Sequence, residues 1–291
     1  MRNYSRKILV TGGNGQLAQA MKKNASQHDS QLVFCSRAEM DITSAANCRR
    51  IIDQHAPDII VNTAAYTAVD KAEQEAELAM QANHLGAQNI AVICRKLSLP
   101  LIHISTDYVF DGSKNSPYLE TDATHPINMY GESKWLGEKA VREQCEQAIV
   151  LRVSGVFSEF GHNFLKTMLR LAQEKKELRI VADQITCPTY AGDIADAIFS
   201  MATSLRHTGT YHFCNSHPVS WYEFASAIID ERKRHRSMPI EKITAITTAE
   251  YPTPAKRPAY SVLNCDKIQR DFGIVPNDWE IAVKKIVSTL L

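Results

Sequence analysis

The segment Tyr130-Gly-Glu-Ser-Lys134 carries the chain's one Tyr-x-x-x-Lys spacing. On a helix, residues four apart share a face one turn apart, so a phenol and an ammonium would stand side by side. A tyrosine with its ordinary pKa of about 10 is a poor acid–base catalyst near neutrality unless a neighbouring cation stabilises its phenolate. Lys134 supplies that cation, so the pair has the chemistry of a proton donor and its tuner. Immediately after the apolar run Leu101–Ile104 come Ser105, Thr106 and Asp107. A hydroxyl there would lie at the carboxyl end of a strand, where doubly wound sheets bind ligands, and could hydrogen-bond a carbonyl. Taken singly, each feature also has a plainer reading, as a surface Tyr/Lys pair and as a turn-forming hydroxyl.

A second constellation opens the chain. The run Lys7–Val10 leads into Thr11-Gly-Gly-Asn-Gly-Gln-Leu-Ala18, a Gly-x-x-Gly-x-x-Ala spacing that passes straight into a helical pattern. Gly12 suits a tight turn, Gly15 lets backbone approach a pyrophosphate, and the small Ala18 lets helix and strand pack closely. The phosphate would then rest on the helix N-terminus. After the second expected strand stands Arg37, where an enzyme selective for NAD commonly places an acid. A guanidinium suits a ribose 2′-phosphate, which points to NADPH while leaving NADH open. Asp41 and Ile42 follow as candidate neighbours of the adenine.

Positioning these groups requires a particular framework. Short β-branched runs at Lys7–Val10, Leu32–Phe34, Asp58–Val61, Leu101–Ile104 and Ile149–Val153 alternate with helical patterns at Gln16–Asn24, Ser44–His55, Glu77–Leu97 and Tyr130–Gln144. That alternation predicts an α/β fold, a Rossmann-like doubly wound parallel sheet. After about Arg152 the rhythm changes to helices at Asn163–Glu174, Asp193–Ser204, Trp221–Glu231 and Trp279–Leu290. We expect a dinucleotide-binding domain over residues 1–155 and a smaller α/β substrate lobe over 156–291, with segments after about 187 able to return to the first. Tyr251–Pro258 holds three prolines and reads as an extended, ordered loop.

Composition narrows the partners. Thirty-three basic against thirty-two acidic side chains give a net charge of +1 over 291 residues, so no broad field attracts a nucleic acid. The dense basic run Glu231–Arg236 reads as a solvated helix end. The opening residues hold too few apolar positions for a signal or membrane segment, so a cytoplasmic location is the default. Seven widely spaced cysteines without a Cys-x-x-Cys suggest reduced, structural thiols and no cysteine zinc site.

The glycine loop, the Ser-Thr-Asp edge and the Tyr-x-x-x-Lys in this order resemble the extended short-chain dehydrogenase/reductases, and in particular their dTDP-4-dehydrorhamnose reductase family. The likeness runs nearly end to end, through Val61–Glu73, Ser105–Phe110, Glu120–Thr124, Asn163–Arg170, Tyr251–Pro254 and Arg257-Pro258. It implies NADPH-dependent reduction of the C4 ketone of a dTDP-6-deoxy-hexos-4-ulose. Tyr130 would protonate the nascent alkoxide, Lys134 would lower the tyrosine pKa and hold the nicotinamide ribose, and Thr106 would polarise the ketone. Gly12, Gly15, Gln16, Leu17, Arg37, Asp41, Ile42, Ala64, Ala65, Tyr66 and Ile104 would line the cofactor. Asp107, Gly155 and Arg257 would meet the sugar nucleotide, the Lys256-Arg257 pair having the chemistry to hold its diphosphate.

Two positions depart from the family pattern. Gly155 stands where an aromatic commonly covers the sugar, and Ala20 stands where some members carry a magnesium-binding acid. No metal is expected, and a homodimer is left open. Two alternatives also stay open: a non-catalytic NADP-binding subunit resembling the regulatory subunit of methionine adenosyltransferase, and a sister reductase making a 6-deoxy-talose nucleotide.

Overall fold

Alternate residues of a strand face opposite sides of a sheet, and here both sides are apolar. A computed structural model describes residues 6–290 of the chain. Six parallel strands form its main sheet: β1 (Arg6–Thr11), β2 (Ser30–Cys35), β3 (Ile59–Asn62), β4 (Leu101–Thr106), β5 (Ala148–Val153) and an edge strand, Gly209–Phe213. Their order is β2-β1-β3-β4-β5 followed by the edge strand. Winding therefore reverses between β1 and β3, which opens a crevice at their carboxyl ends.

Ile8 and Val10 of β1 pack with the helices Gln16–Asn24 and Ala191–Thr203 on one face, while Leu9 packs with Ala45–His55 and Ala87–Leu97 on the other. A second core gathers Phe157, Leu165, Phe224, Ile228, Trp279 and Val283. It lies among the helices Phe164–Glu174, Trp221–His235 and Trp279–Thr289 and the parallel strand pair Glu177–Val181 and Lys242–Ile246. The chain leaves the main sheet after β5 and comes back for Ala191–Thr203 and the edge strand. It leaves again, and returns once more with the short helix Asp266–Phe272, whose Ile268 joins the first core.

The helix expected over Glu77–Leu97 is interrupted. Ala76–Met80 and Ala87–Leu97 are α-helical, and Gln81–Gly86 between them is a π turn. There the Asn83 carboxamide accepts from Tyr66 N at 2.8 Å and donates to Tyr66 O and Ser133 Oγ at 3.0 and 2.9 Å. Helical periodicity carries no record of such a wide turn. The basic run after Glu231 ends the helix Trp221–His235, where Arg232 reaches the carbonyls of Val287 and Leu290. Among the described residues no helix is long and apolar enough to cross a membrane.

Candidate active site

Hydroxyls and backbone fix the crevice where the sheet reverses. Thr63 Oγ1 donates to Thr11 O at 2.6 Å, and Ala64 N donates to Thr11 Oγ1 at 3.2 Å. Between them Gly12 adopts φ +65°, and a Cβ on it would stand 2.8 Å from Ala64 Cα. Both conformation and space thus demand glycine. The helix Gln16–Asn24 begins at Gly15 with no side-chain cap and no acid in its first turn. Its first amide groups and the positive end of its dipole are available to an anion.

A cavity of about 1640 Å³ runs from this turn across β4 to the helix Phe164–Glu174 and the strand Glu177–Val181. Single-ligand pockets run to about 300–1,000 Å³, so this one has room for a dinucleotide and a second ligand. All but one of the site residues expected from the sequence line it: Gly12, Gly15, Gln16, Leu17, Arg37, Asp41, Ile42, Ala64, Ala65, Tyr66, Ile104, Thr106, Asp107, Tyr130, Lys134, Gly155 and Arg257. Lys256 does not; it is exposed, and its carbonyl accepts from Asn128 Nδ2 at 2.7 Å.

The helix Met129–Gln144 carries Tyr130 and Lys134. Asn128 caps it, Oδ1 accepting from Gly131 N at 2.7 Å, so one side chain ties the helix start to the proline loop. Lys134 is 3% exposed and its Nζ donates to Ile104 O at 2.6 Å. Burial pushes its pKa down to about 8, against the pull of Glu138. Burial likewise pushes the Tyr130 phenol up to about 12, opposed by the Thr106 hydroxyl. Desolvation dominates the phenol, and the Lys134 ammonium is engaged by the Ile104 carbonyl. Asp107 is buried, accepting from Thr106 Oγ1 at 3.0 Å and Ser154 Oγ at 3.1 Å. Its pKa rises to about 6 because burial outweighs those hydrogen bonds.

At the cofactor end, Arg37 is exposed and makes no ion pair or side-chain hydrogen bond to the other described residues. The Asp41 carboxylate is occupied by Thr43, accepting from its N and Oγ1 at 3.0 and 2.9 Å. Those bonds, the backbone one foremost, hold Asp41 below its ordinary value. A free guanidinium beside a committed carboxylate fits a 2′-phosphate better than a 2′-hydroxyl. The uncapped helix, the glycine crossing and Arg37 together fit a dinucleotide phosphate.

At the other end, Arg257 is clasped by Asp70, its two terminal nitrogens donating to the carboxylate at 3.1 and 2.8 Å. That contact, foremost, lowers the Asp70 pKa. Gly155 sits at φ +52°, where a Cβ would meet Cys187 O at 3.0 Å. Sequence reasoning missed the cavity wall on the helix Phe164–Glu174, formed by Phe164, Thr167, Met168 and Leu171, and Trp221 beyond it. The helical spacing of these residues was visible, but it reads equally as a core-facing stripe.

Fold and site together define a nucleotide-binding enzyme of the short-chain dehydrogenase/reductase type. The chain belongs to the RmlD substrate binding domain family, whose model matches residues 6–291. It is 43% identical over 287 residues to a dTDP-4-dehydrorhamnose reductase of Aggregatibacter actinomycetemcomitans, covering 96% of this chain and 98% of the relative. It is 39% identical to the dTDP-4-dehydrorhamnose reductase of Escherichia coli K12, with 97% of each covered. A crystal structure of a Bacillus anthracis dTDP-4-dehydrorhamnose reductase in complex with NADP superposes with a TM-score of 0.92 at 33% identity, covering 98% of this chain and 100% of that one. A Thermus thermophilus UDP-glucose 4-epimerase shares the fold at 17% identity and a TM-score of 0.82.

Proposed function

We propose that the protein catalyses NADPH-dependent reduction of the C4 ketone of dTDP-4-dehydrorhamnose to give dTDP-rhamnose. One observation carries this reading: Tyr130, Lys134 and Thr106 meet at the end of β4, in a cavity roomy enough for cofactor and nucleotide sugar. The chain matches reductases of that name over nearly its whole length, which favours catalysis over a purely binding role. All seven cysteines are free thiols, as suits a cytoplasmic setting.

The bound cofactor supplies a hydride to the ketone carbon, and the protein's residues do the rest. Gly12, Gly15 and the first turn of Gln16–Asn24 hold the pyrophosphate, and Arg37 holds the 2′-phosphate. Asp41, Ile42, Ala64, Ala65, Tyr66 and Ile104 line the remainder of the cofactor. The Thr106 hydroxyl, turned from Asp107 to the ketone oxygen, would donate a hydrogen bond there, and Tyr130 would give that oxygen its proton. The phenol is protonated at neutral pH and so enters the reaction in the donor state. The charge it meets grows only as hydride arrives, which is where preorganised donors accelerate a reaction. Lys134 presents a positive charge beside the phenol as its proton leaves. Asp107 and Gly155 border the sugar, and Arg257, pre-oriented by Asp70, meets the diphosphate. On this reading residues 1–155, with the returning Ala191–Phe213 stretch, form the dinucleotide domain, and most of 156–291 forms the substrate lobe.

The test is to supply dTDP-4-dehydro-L-rhamnose and NADPH and to determine the C4 configuration of the product. A rhamnosyl product supports the assignment. A 6-deoxy-talosyl product would transfer the enzyme to a sister reaction, and binding of NADPH without turnover would overturn the reading.

A further inference from the structure

Beneath the catalytic helix lies a polar layer that the proposed chemistry does not itself use. On β4, Leu101, His103 and Ser105 share the face turned to the helix Met129–Gln144; on β5, Ala148, Val150 and Arg152 share it. On the helix, Lys134, Glu138 and Arg142 follow one another at four-residue intervals. Glu138 is wholly buried, and its carboxylate accepts four hydrogen bonds. Oε1 accepts from Ser105 Oγ at 2.5 Å and Arg152 Nε at 2.9 Å, and Oε2 accepts from Arg152 Nη2 at 2.7 Å and Arg142 Nη1 at 3.0 Å. These fill the lone-pair positions a carboxylate offers.

A buried ion pair is a poor source of stability, because desolvating two charges offsets their attraction. The location of this one suggests another use. Ser105 lies between Ile104, whose carbonyl takes the Lys134 ammonium, and Thr106. Glu138 stands one helical turn from Lys134, within the roughly 5–6 Å Cβ separation of such neighbours. Among the described residues, Glu138 is the anion whose charge acts on the ammonium. His103 on β4 is held well below its ordinary pKa by burial and by Lys134 itself. Arg152 on β5 is cationic, and His212 on the edge strand beyond it, 3.3 Å from Arg152 Nη1, is held neutral by burial. Tyr130 keeps its proton, and Asp107 belongs to the Thr106 and Ser154 hydroxyls.

We propose that Glu138 is a positioning residue for Lys134, the buried anion that keeps this lysine in its ammonium form through the working pH range. Its catalytic consequence rests on the reductase reading above, but its effect on Lys134 does not. Burial and Glu138 act on the Lys134 pKa in opposite senses, so removing the carboxylate leaves burial unopposed. An opposite charge within about 4–6 Å moves a pKa by about 1–3 units, and a shift at the low end is expected here.

The full-length protein, labelled with 13C at lysine Cε, reports the Lys134 titration directly, the signal being identified by its absence from Lys134→Arg. Glu138→Gln should move the midpoint to lower pH by about one unit, and the alkaline limb of kcat should move with it. Ser105→Ala removes one hydrogen bond but no charge and should leave the midpoint in place. If Glu138→Gln fails to fold with Arg152 unpaired, Glu138→Gln/Arg152→Met should titrate about one unit below Arg152→Met, the reference that lacks the same cation. An unmoved midpoint in the folded carboxylate variant, or an equal shift in Ser105→Ala, overturns the proposal. A moved midpoint without any turnover would leave it standing while sinking the reductase reading.

Discussion

Arg37→Ala is the sharpest probe of how the site chooses its cofactor. The guanidinium lies on the cavity wall, exposed and unengaged by the other described side chains, while the nearby Asp41 is committed to Thr43. A charge-assisted hydrogen bond contributes about 1.5–3 kcal/mol, and solvent exposure places this one at the lower end. At about 1.4 kcal/mol per tenfold, the variant should lose about tenfold in kcat/KM for NADPH and little for NADH. The ratio of the two efficiencies, measured for wild type and variant, isolates the 2′-phosphate because everything else in the cofactors is shared. Salt provides a second axis: an exposed contact is screened, so the wild-type preference should fall as ionic strength rises, and that of the variant should not. A ratio unchanged by the substitution would refute this account of Arg37.

Two further outcomes follow from the geometry. Asp107 has a folded pKa of about 6 against about 3.9 for an unfolded chain, so the folded state holds its proton more tightly. The stability this contributes is present below about pH 4 and is lost as pH rises through 6. Asp107→Asn should abolish that dependence and be more stable at pH 7.5 by about 3 kcal/mol in urea unfolding, with Ser154 and Thr106 still able to hydrogen-bond it; a variant no more stable than wild type at pH 7.5 would contradict the buried-charge argument. Gly12→Ala must accept φ +65° and a Cβ 2.8 Å from Ala64 Cα. It should cost about 2 kcal/mol or more and weaken NADP binding by calorimetry, and wild-type affinity would show that the crossing is not tight.

Much of this was written in local signals. The glycine turn, the Tyr-x-x-x-Lys helix and the hydroxyls closing β4 each depend on short spacing, and strand alternation carried the sheet. What escaped depends on contacts between distant segments. Arg257 and Asp70 are far apart in sequence, and nothing local marks them as partners. Glu138 looks like any helical glutamate until Arg152 and Ser105 close on it from two strands. The π turn at Gln81–Gly86 leaves the hydrophobic period almost intact. How deeply the Tyr130 phenol is buried is likewise set by segments distant in sequence.

In the proposed ketone reduction, Tyr130 delivers the proton. Single-turnover oxidation of NADPH with dTDP-4-dehydro-L-rhamnose, followed for wild type and Tyr130→Phe with NADPH affinity measured in parallel, tests it directly. The phenylalanine variant should turn over about 10²–10⁴-fold more slowly, with affinity nearly unchanged. Wild-type turnover in the phenylalanine variant would contradict it.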